Sequence, residues 1–138
     1  MKYLIIALVL FGLKTPNTIV QNLEAKAGSE GKYIAVYFCG SDWCANCYKF
    51  KEQTLSHAEV KNLLSDNFIY YTADFPQRTK LSAEISSAND LIAEKLNDEG
   101  VFPVLVIADK DWNVKAKIYK GDLTEVVVHK LNSLKKAN

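Results

Sequence analysis

The 138-residue sequence contains few cysteines, prolines and glycines: three, three and six, respectively. Three cysteines are too few for a disulfide scaffold, and the odd number leaves at least one thiol without a partner in the chain. A zinc site at Cys44 and Cys47 would need two more ligands, and besides carboxylates only Cys39, His57 and His129 are candidates. Because no second Cys-x-x-Cys pair is present, we expect neither a metal nor any other cofactor.

Neither sign of charge dominates, since 17 Lys and Arg residues stand against 16 Asp and Glu residues, for a net charge of +1. The sequence also lacks a long basic run, which argues against a nucleic-acid partner. Apolar residues make up 49% and charged residues 24% of the chain, a balance that suits one soluble domain with one core. We also expect this domain to act as a monomer.

The longest apolar run near the N-terminus, Tyr3 to Leu13, has eleven residues. As a helix it would span about 17 Å, which is short of the ~30 Å core of a bilayer. After the basic start Met1-Lys2, such a run predicts a secretory signal peptide over residues 1–16, cleaved near residues 12 to 17. The alternative is a buried first strand. We therefore expect a domain over residues 17–138 in a periplasmic or secreted protein.

The stretch around Cys44 and Cys47 carries the main chemical signal. Residues Tyr33–Cys39 are apolar, aromatic or β-branched and predict a buried strand. A Gly-Ser-Asp turn follows, and the cysteines then begin a helix of about residues 44–54. Unpaired N–H groups and the helix dipole stabilise a thiolate at Cys44, and thiolate is the form that attacks disulfides. Cys47, one turn later, lies within reach; a merely structural disulfide is the alternative.

Residues 38–47, Phe-Cys-Gly-Ser-Asp-Trp-Cys-Ala-Asn-Cys, resemble the active-site segment of the thioredoxin family. The likeness is closest to the secreted bacterial thioredoxin-like disulfide reductases and isomerases, which carry Gly-Ser-Asp-Trp-Cys-x-x-Cys. The resemblance implies that Cys44 attacks a substrate disulfide and that Cys47 resolves the mixed disulfide. It also implies that Trp43 forms an apolar wall beside the pair.

A second match is the segment Gly100-Val101-Phe102-Pro103, which is similar to the Gly-Val-x-Pro stretch of the family. By this resemblance the Phe102–Pro103 bond is cis, the proline faces the cysteines, and the backbone groups of both residues bind the substrate chain. By itself, the proline could equally be a trans residue that opens a strand. Phe102 replaces the smaller residue common in the family, a change that we expect to narrow the groove or alter substrate choice.

The remaining pattern predicts an α/β domain. The predicted elements are a helix over Thr18–Ser29, a helix over about 57–65, a strand over 67–74, a helix through Leu96, strands over 104–107 and 114–120, and a helix from Asp122. With strand one and the active-site helix, this order favours a four-stranded mixed sheet with helices on both faces. The resemblance implies that this is the thioredoxin fold.

Four of these elements depend on particular residues. Ser56 and Glu59 form a capping-box pattern, and Asn89 or Ser87 is expected to cap the helix through Leu96. Asn113 is expected to adopt the left-handed conformation in a turn over residues 109–113. The last helix is predicted to bury the stripe Leu123, Val127, Leu131 and Leu134.

The residues around the pair suggest the direction of exchange. No His lies between the cysteines, which favours a reducing couple, and Asp42 should raise the thiol pKa. We therefore expect a reductase of protein or peptide disulfides that receives electrons from a membrane or thioredoxin-type donor. The alternatives are a disulfide oxidase or isomerase, and a non-catalytic binding module with a structural disulfide.

Two positions depart from the family pattern. Tyr37 stands where cytoplasmic thioredoxins have a buried carboxylate, so a proton relay through that position is in question. Cys39 is an additional thiol on an apolar strand, and we expect it to be an inert core residue. His57 and His129 are expected to be structural or solvated.

Overall fold

The computed structural model describes residues 16–135, and the predicted signal peptide lies outside this range apart from its last residue. The elements are α1 (Thr18–Glu30), β1 (Tyr33–Cys39), α2 (Ala45–Phe50), a π-helical segment (Lys51–Leu55), α3 (Ala58–Asn67), β2 (Phe68–Asp74), α4 (Ala83–Leu96), β3 (Val104–Ala108), β4 (Val114–Tyr119) and α5 (Thr124–Leu134). Within the described range, no helix combines the length and apolarity needed to cross a membrane.

The four strands form one mixed sheet in the order β2-β1-β3-β4. β1 pairs in parallel with β2 and antiparallel with β3, and β3 and β4 form an antiparallel hairpin. The parallel pair requires a crossover, which α2, the π-helical segment and α3 supply. The predicted four-stranded mixed sheet is thereby confirmed.

Both faces of β1 are buried, which explains its continuous apolar sequence. Ile34, Val36 and Phe38 point into a core cluster shared with α1 and α4. Alternate residues of the strand belong to a second cluster shared with the cysteine-bearing helix, α3 and α5. Helices therefore cover both faces of the sheet, as predicted.

Helix α1 is tied to the β3–β4 hairpin by a side-chain hydrogen bond. The indole N–H of Trp112 donates to Glu24 Oε1 at 2.6 Å across 88 residues of sequence. In this turn Trp112, with φ of 65°, is the left-handed residue, so the prediction for Asn113 is wrong. The Asn113 side-chain amide instead donates to both carboxylate oxygens of Asp109, and Asn113 itself has no positive φ.

Helix α4 begins at Ala83, with Ser82 as its N-cap, so the predicted caps Asn89 and Ser87 are wrong. Asn89 lies within the helix and is 1% exposed. Its Nδ2 donates to the carbonyl oxygen of Asp74 at 2.7 Å, and its Oδ1 accepts from the Tyr71 hydroxyl at 2.6 Å. Asn89, although of a residue type common at helix caps, thus joins the interior of α4 to the end of β2.

Replacing Asn89 with alanine should lower the free energy of unfolding by about 1–3 kcal/mol, because two polar groups lose their partner in a largely buried site. Urea unfolding followed by circular dichroism measures this change. The matched control is Asn62→Ala at an exposed position of α3, for which a change within about 0.5 kcal/mol is expected. Equal stabilities of the two variants would contradict a structural role for the Asn89 bonds.

Two other helix starts differ from the prediction. His57, not Ser56, is the N-cap of α3, and its side chain makes no capping bond, so the Ser56–Glu59 capping box is absent. Helix α5 begins at Thr124 and not at Asp122, whose carboxylate accepts hydrogen bonds from the backbone N–H of Tyr119 and from Lys130 Nζ. Leu123 precedes α5 and is 66% exposed, so it does not belong to the buried stripe.

Candidate active site

The two cysteines occupy the first turn of α2. Cys44 is its N-cap, and its Sγ accepts a hydrogen bond from the backbone N–H of Cys47 at 3.1 Å. The residues are joined by a disulfide, with their Cα atoms 5.2 Å apart. Cys44 is partly exposed, whereas Cys47 is 3% exposed. The pair therefore consists of an outer sulfur that a partner can reach and an inner sulfur that it cannot.

The helix behind the cysteines is anchored to the sheet through its buried side. Phe50 is 2% exposed, and its ring centroid lies 5.9 Å from that of Tyr37. The Tyr37 hydroxyl donates to the carbonyl oxygen of Cys47 at 2.8 Å. Burial raises the pKa of Tyr37, so its hydroxyl stays protonated at neutral pH. Tyr37 thus supports the backbone of the inner cysteine.

Three aromatic side chains form a wall beside the pair. The ring centroids of Trp43 and Phe102 are 5.8 Å apart and those of Phe75 and Phe102 are 5.5 Å apart, both in edge-to-face geometry. Phe102 and Cys44 both pack against the core cluster that contains Cys47. The Phe102–Pro103 peptide bond is cis, and Pro103 is buried. The structure thus brings Trp43 and Phe102 together next to the cysteines.

The turn before Cys44 is fastened to the loop that follows β2. The Asp42 carboxylate accepts hydrogen bonds from the backbone N–H groups of Gln77, Arg78 and Thr79 at 2.8, 2.7 and 2.9 Å. The Trp43 indole N–H donates to the carbonyl oxygen of Phe75 at 2.7 Å. The loop therefore fixes both the turn and the aromatic wall.

The first two residues of the turn are constrained as well. The Asp74 carboxylate accepts from the Ser41 backbone N–H at 2.8 Å and from the Ser41 hydroxyl at 2.6 Å. A Cβ atom at Gly40 would overlap the Trp43 indole. Each residue of the Gly-Ser-Asp-Trp sequence thus has its own structural reason to precede the cysteines.

A cleft of about 500 Å³ opens beside the pair toward β2. Besides both cysteines it is lined by Tyr37, Cys39, Ser41, Tyr48, Lys51, Tyr70, Thr72 and Asp74. Cys39 is 6% exposed, and burial, together with the nearby Asp74 carboxylate, raises the pKa of its thiol to about 12. Cys39 is therefore a neutral thiol at pH 7, in keeping with its expected inert role. Among residues 16–135, no group of His, Cys, Asp and Glu could hold a metal ion.

A family profile described as thioredoxin-like matches residues 18–110, which is more than half of the chain. This protein belongs to the thioredoxin-like family. The architecture agrees, since a solved structure described as DsbH Oxidoreductase superposes with a TM-score of 0.75 at 24% identity, covering 91% of this chain and 94% of that one. A disulphide isomerase from Xylella fastidiosa Temecula1 superposes with a TM-score of 0.57 at 14% identity, covering 92% and 97%. These likenesses show the shared fold.

The thioredoxin-like chain is also similar to a curated protein, Disulfide bond reductase DsbH of Chlamydia pneumoniae. The two are 31% identical over 87 residues, which cover 63% of this chain and 52% of that relative. The chain thus matches about half the length of the curated relative.

Sequence reasoning missed how this thioredoxin-like site is held together. Asp42 was considered only for its charge near the thiol, whereas its carboxylate also accepts hydrogen bonds from the loop over residues 77–79. The contacts join residues more than 30 positions apart, so no local pattern specifies them.

The Asp42 contacts should make the loop sensitive to acid. Hydrogen bonds from the backbone N–H groups of Gln77, Arg78 and Thr79 lower the pKa of Asp42, below its unfolded value of about 3.9. The carboxylate therefore stabilises the loop above that pH, and this contribution is lost as the pH falls through the folded pKa.

Accordingly, Asp42→Asn should speed amide hydrogen exchange of Gln77, Arg78 and Thr79 at neutral pH, where the wild-type loop is still protected. The matched control is Asp98→Asn, which changes an exposed carboxylate far along the sequence and should leave these three amides unaffected. Unchanged exchange in Asp42→Asn would show that the carboxylate does not hold the loop.

Proposed function

We propose that the protein is a thiol–disulfide oxidoreductase that acts as a reductase through Cys44 and Cys47. The Cys44 thiolate attacks a substrate disulfide, forming a mixed disulfide and releasing the first substrate thiolate. The Cys47 thiol loses its proton and attacks Cys44 Sγ, so the second substrate thiolate leaves and the Cys44–Cys47 disulfide forms. Two electrons pass to the substrate, and a donor returns two to the enzyme.

The observation that carries this proposal is the position of Cys44 at the N-cap of α2. Its sulfur accepts the backbone N–H of Cys47, and such a bond, with the positive end of the helix, favours the thiolate. The difference in exposure supports these roles, because a substrate can reach the partly exposed sulfur of Cys44, whereas the buried sulfur of Cys47 is placed to resolve the mixed disulfide. A relative at 31% identity that is named a disulfide bond reductase supports the reductive direction.

Trp43, Phe102 and Pro103 are proposed to bind the substrate. Trp43 is 40% exposed although it touches Phe102 and is fixed by Phe75. A rigid, partly exposed aromatic surface beside the reactive sulfur is suited to an apolar side chain of a protein or peptide substrate.

The compartment and the electron donor follow from the chemistry and the N-terminal sequence. We infer that residues 1–16 are a signal peptide and that residues 17–138 act as a monomer in the periplasm or outside the cell. An oxidising compartment supplies no reducing thiol pool, so a reductase there needs a membrane or thioredoxin-type donor.

Insulin reduction driven by dithiothreitol tests the activity. The wild-type protein should accelerate the reaction and Cys44→Ser should not; activity that survives in Cys44→Ser would refute the mechanism. Redox titration against glutathione tests the direction. A reduction potential of about −120 mV, the value of a strong oxidant, would show that the protein is an oxidase. A clearly more negative potential would support the reductase function.

A further inference from the structure

Cys44 lies between two clefts whose charged lining residues differ in how well they are paired. The cleft toward β2 contains Lys51 and Asp74, and a shallow cleft on the other side contains Asp42 and Arg78. Each cleft therefore has one acidic and one basic residue. A count of charges alone would make the surroundings of the sulfur neutral.

The two carboxylates are already satisfied by the protein. Asp42 accepts hydrogen bonds from three backbone N–H groups, and Asp74 accepts hydrogen bonds from the backbone N–H and the hydroxyl of Ser41. Each carboxylate keeps its net charge, but these donors occupy its oxygens and hold them against the protein. An approaching substrate therefore finds the oxygens of both carboxylates already engaged in hydrogen bonds.

The cations, by contrast, are not engaged by any carboxylate of the described residues. Among the described residues neither Lys51 nor Arg78 forms an ion pair, and Lys120 Nζ bonds the neutral amide oxygen of Asn46, between the two cysteines, at 2.9 Å. The sequence outside residues 16–135 contains no Asp or Glu that could pair with them. We call Lys51, Arg78 and Lys120 the cationic rim.

The position of Arg78 is built into the fold. Its backbone N–H donates to Asp42 Oδ2, so the loop that carries the cation is fixed to the turn that carries Cys44. The Asp42 carboxylate thus fixes the backbone of the residue that carries this cation.

We propose that the cationic rim selects substrates with acidic side chains next to their disulfide. This inference rests on the proposed reductase function and names its substrate class. Attraction between the rim and an acidic segment raises the rate of encounter, and repulsion disfavours basic segments. The aromatic wall then contacts the apolar part of the same segment.

Two synthetic peptides test the proposal, each with one internal disulfide in the same sequence, flanked in one by glutamates and in the other by lysines. The readout is the ratio of kcat/KM for the acidic peptide to that for the basic peptide, with dithiothreitol as reductant. A change in intrinsic thiol reactivity affects both peptides equally and cancels in this ratio. The ratio should exceed one and fall toward one at about 1 M salt, where the Debye length is about 3 Å.

Arg78→Gln and Lys120→Gln should each lower the ratio by about 2- to 5-fold, the range of one exposed ion pair. Lys95→Gln is the control, because Lys95 is exposed on α4, across the sheet from the cysteines, and its ratio should equal that of the wild type. A wild-type ratio of one or less, or a ratio that Arg78→Gln leaves unchanged, would overturn the proposal. Failure to reduce either peptide or insulin would instead refute the proposed function itself.

Discussion

Cys47→Ser should stop the reaction at the mixed disulfide and accumulate a covalent complex with the substrate. Cys47 is buried beneath Cys44, so the serine variant keeps the exposed nucleophile but lacks the group that releases the substrate. Turnover should fall to the background rate of dithiothreitol alone. Non-reducing gel electrophoresis after incubation with a disulfide substrate measures the complex, which should disappear when reductant is added.

The serine substitution at the outer position is the matched control. Cys44→Ser should form no covalent complex, because the remaining Cys47 is 3% exposed and cannot reach a substrate disulfide. Cys39, although still present, is buried and its thiol has a pKa of about 12. If Cys44→Ser trapped as much substrate as Cys47→Ser, the assignment of outer and inner roles would be wrong.

Phe50→Ala should have the largest effect on stability. Phe50 is 2% exposed at the junction of α2 and the π-helical segment, where it packs against Tyr37. Truncating such a side chain leaves a cavity and lowers the free energy of unfolding by about 3–5 kcal/mol. Since a domain of this kind is stable by about 5–15 kcal/mol in total, the midpoint of urea unfolding should fall strongly.

Tyr48→Ala on the same helix is the control for this effect. Tyr48 is 68% exposed, so its removal should change the free energy of unfolding by no more than about 0.5 kcal/mol. A similar loss of stability in both variants would mean that helix propensity, and not packing on the sheet, is what the substitutions alter.

The sequence allowed the central strand and the cysteine-bearing helix to be predicted well because their signals are local. The bounds predicted for β1 are those observed. Its residues are apolar or aromatic on both faces, and helices cover both faces of the sheet. The cysteine pair follows after a short turn, so its place at the start of a helix needed no distant contact.

The errors fall where a polar side chain serves a distant partner. Asn89 has the residue type of a cap, but the main-chain oxygen at the end of β2 and the Tyr71 hydroxyl bind it in the core. Asp122 looks like the start of α5, but Lys130 and the end of β4 engage its carboxylate. The loop over residues 77–79 could not be interpreted at all, because its role depends on Asp42, which lies 35 to 37 residues earlier.

The chain has two tryptophans, and their different surroundings make each an independent optical probe. Trp43 stands beside the disulfide, while Trp112 is 8% exposed and bonded to Glu24 of α1. A protein with Trp112→Phe would show tryptophan emission only from the redox site, and one with Trp43→Phe only from the junction of α1 with the hairpin. Undocking of α1 and chemistry at the sulfurs can therefore be recorded separately in the same fold.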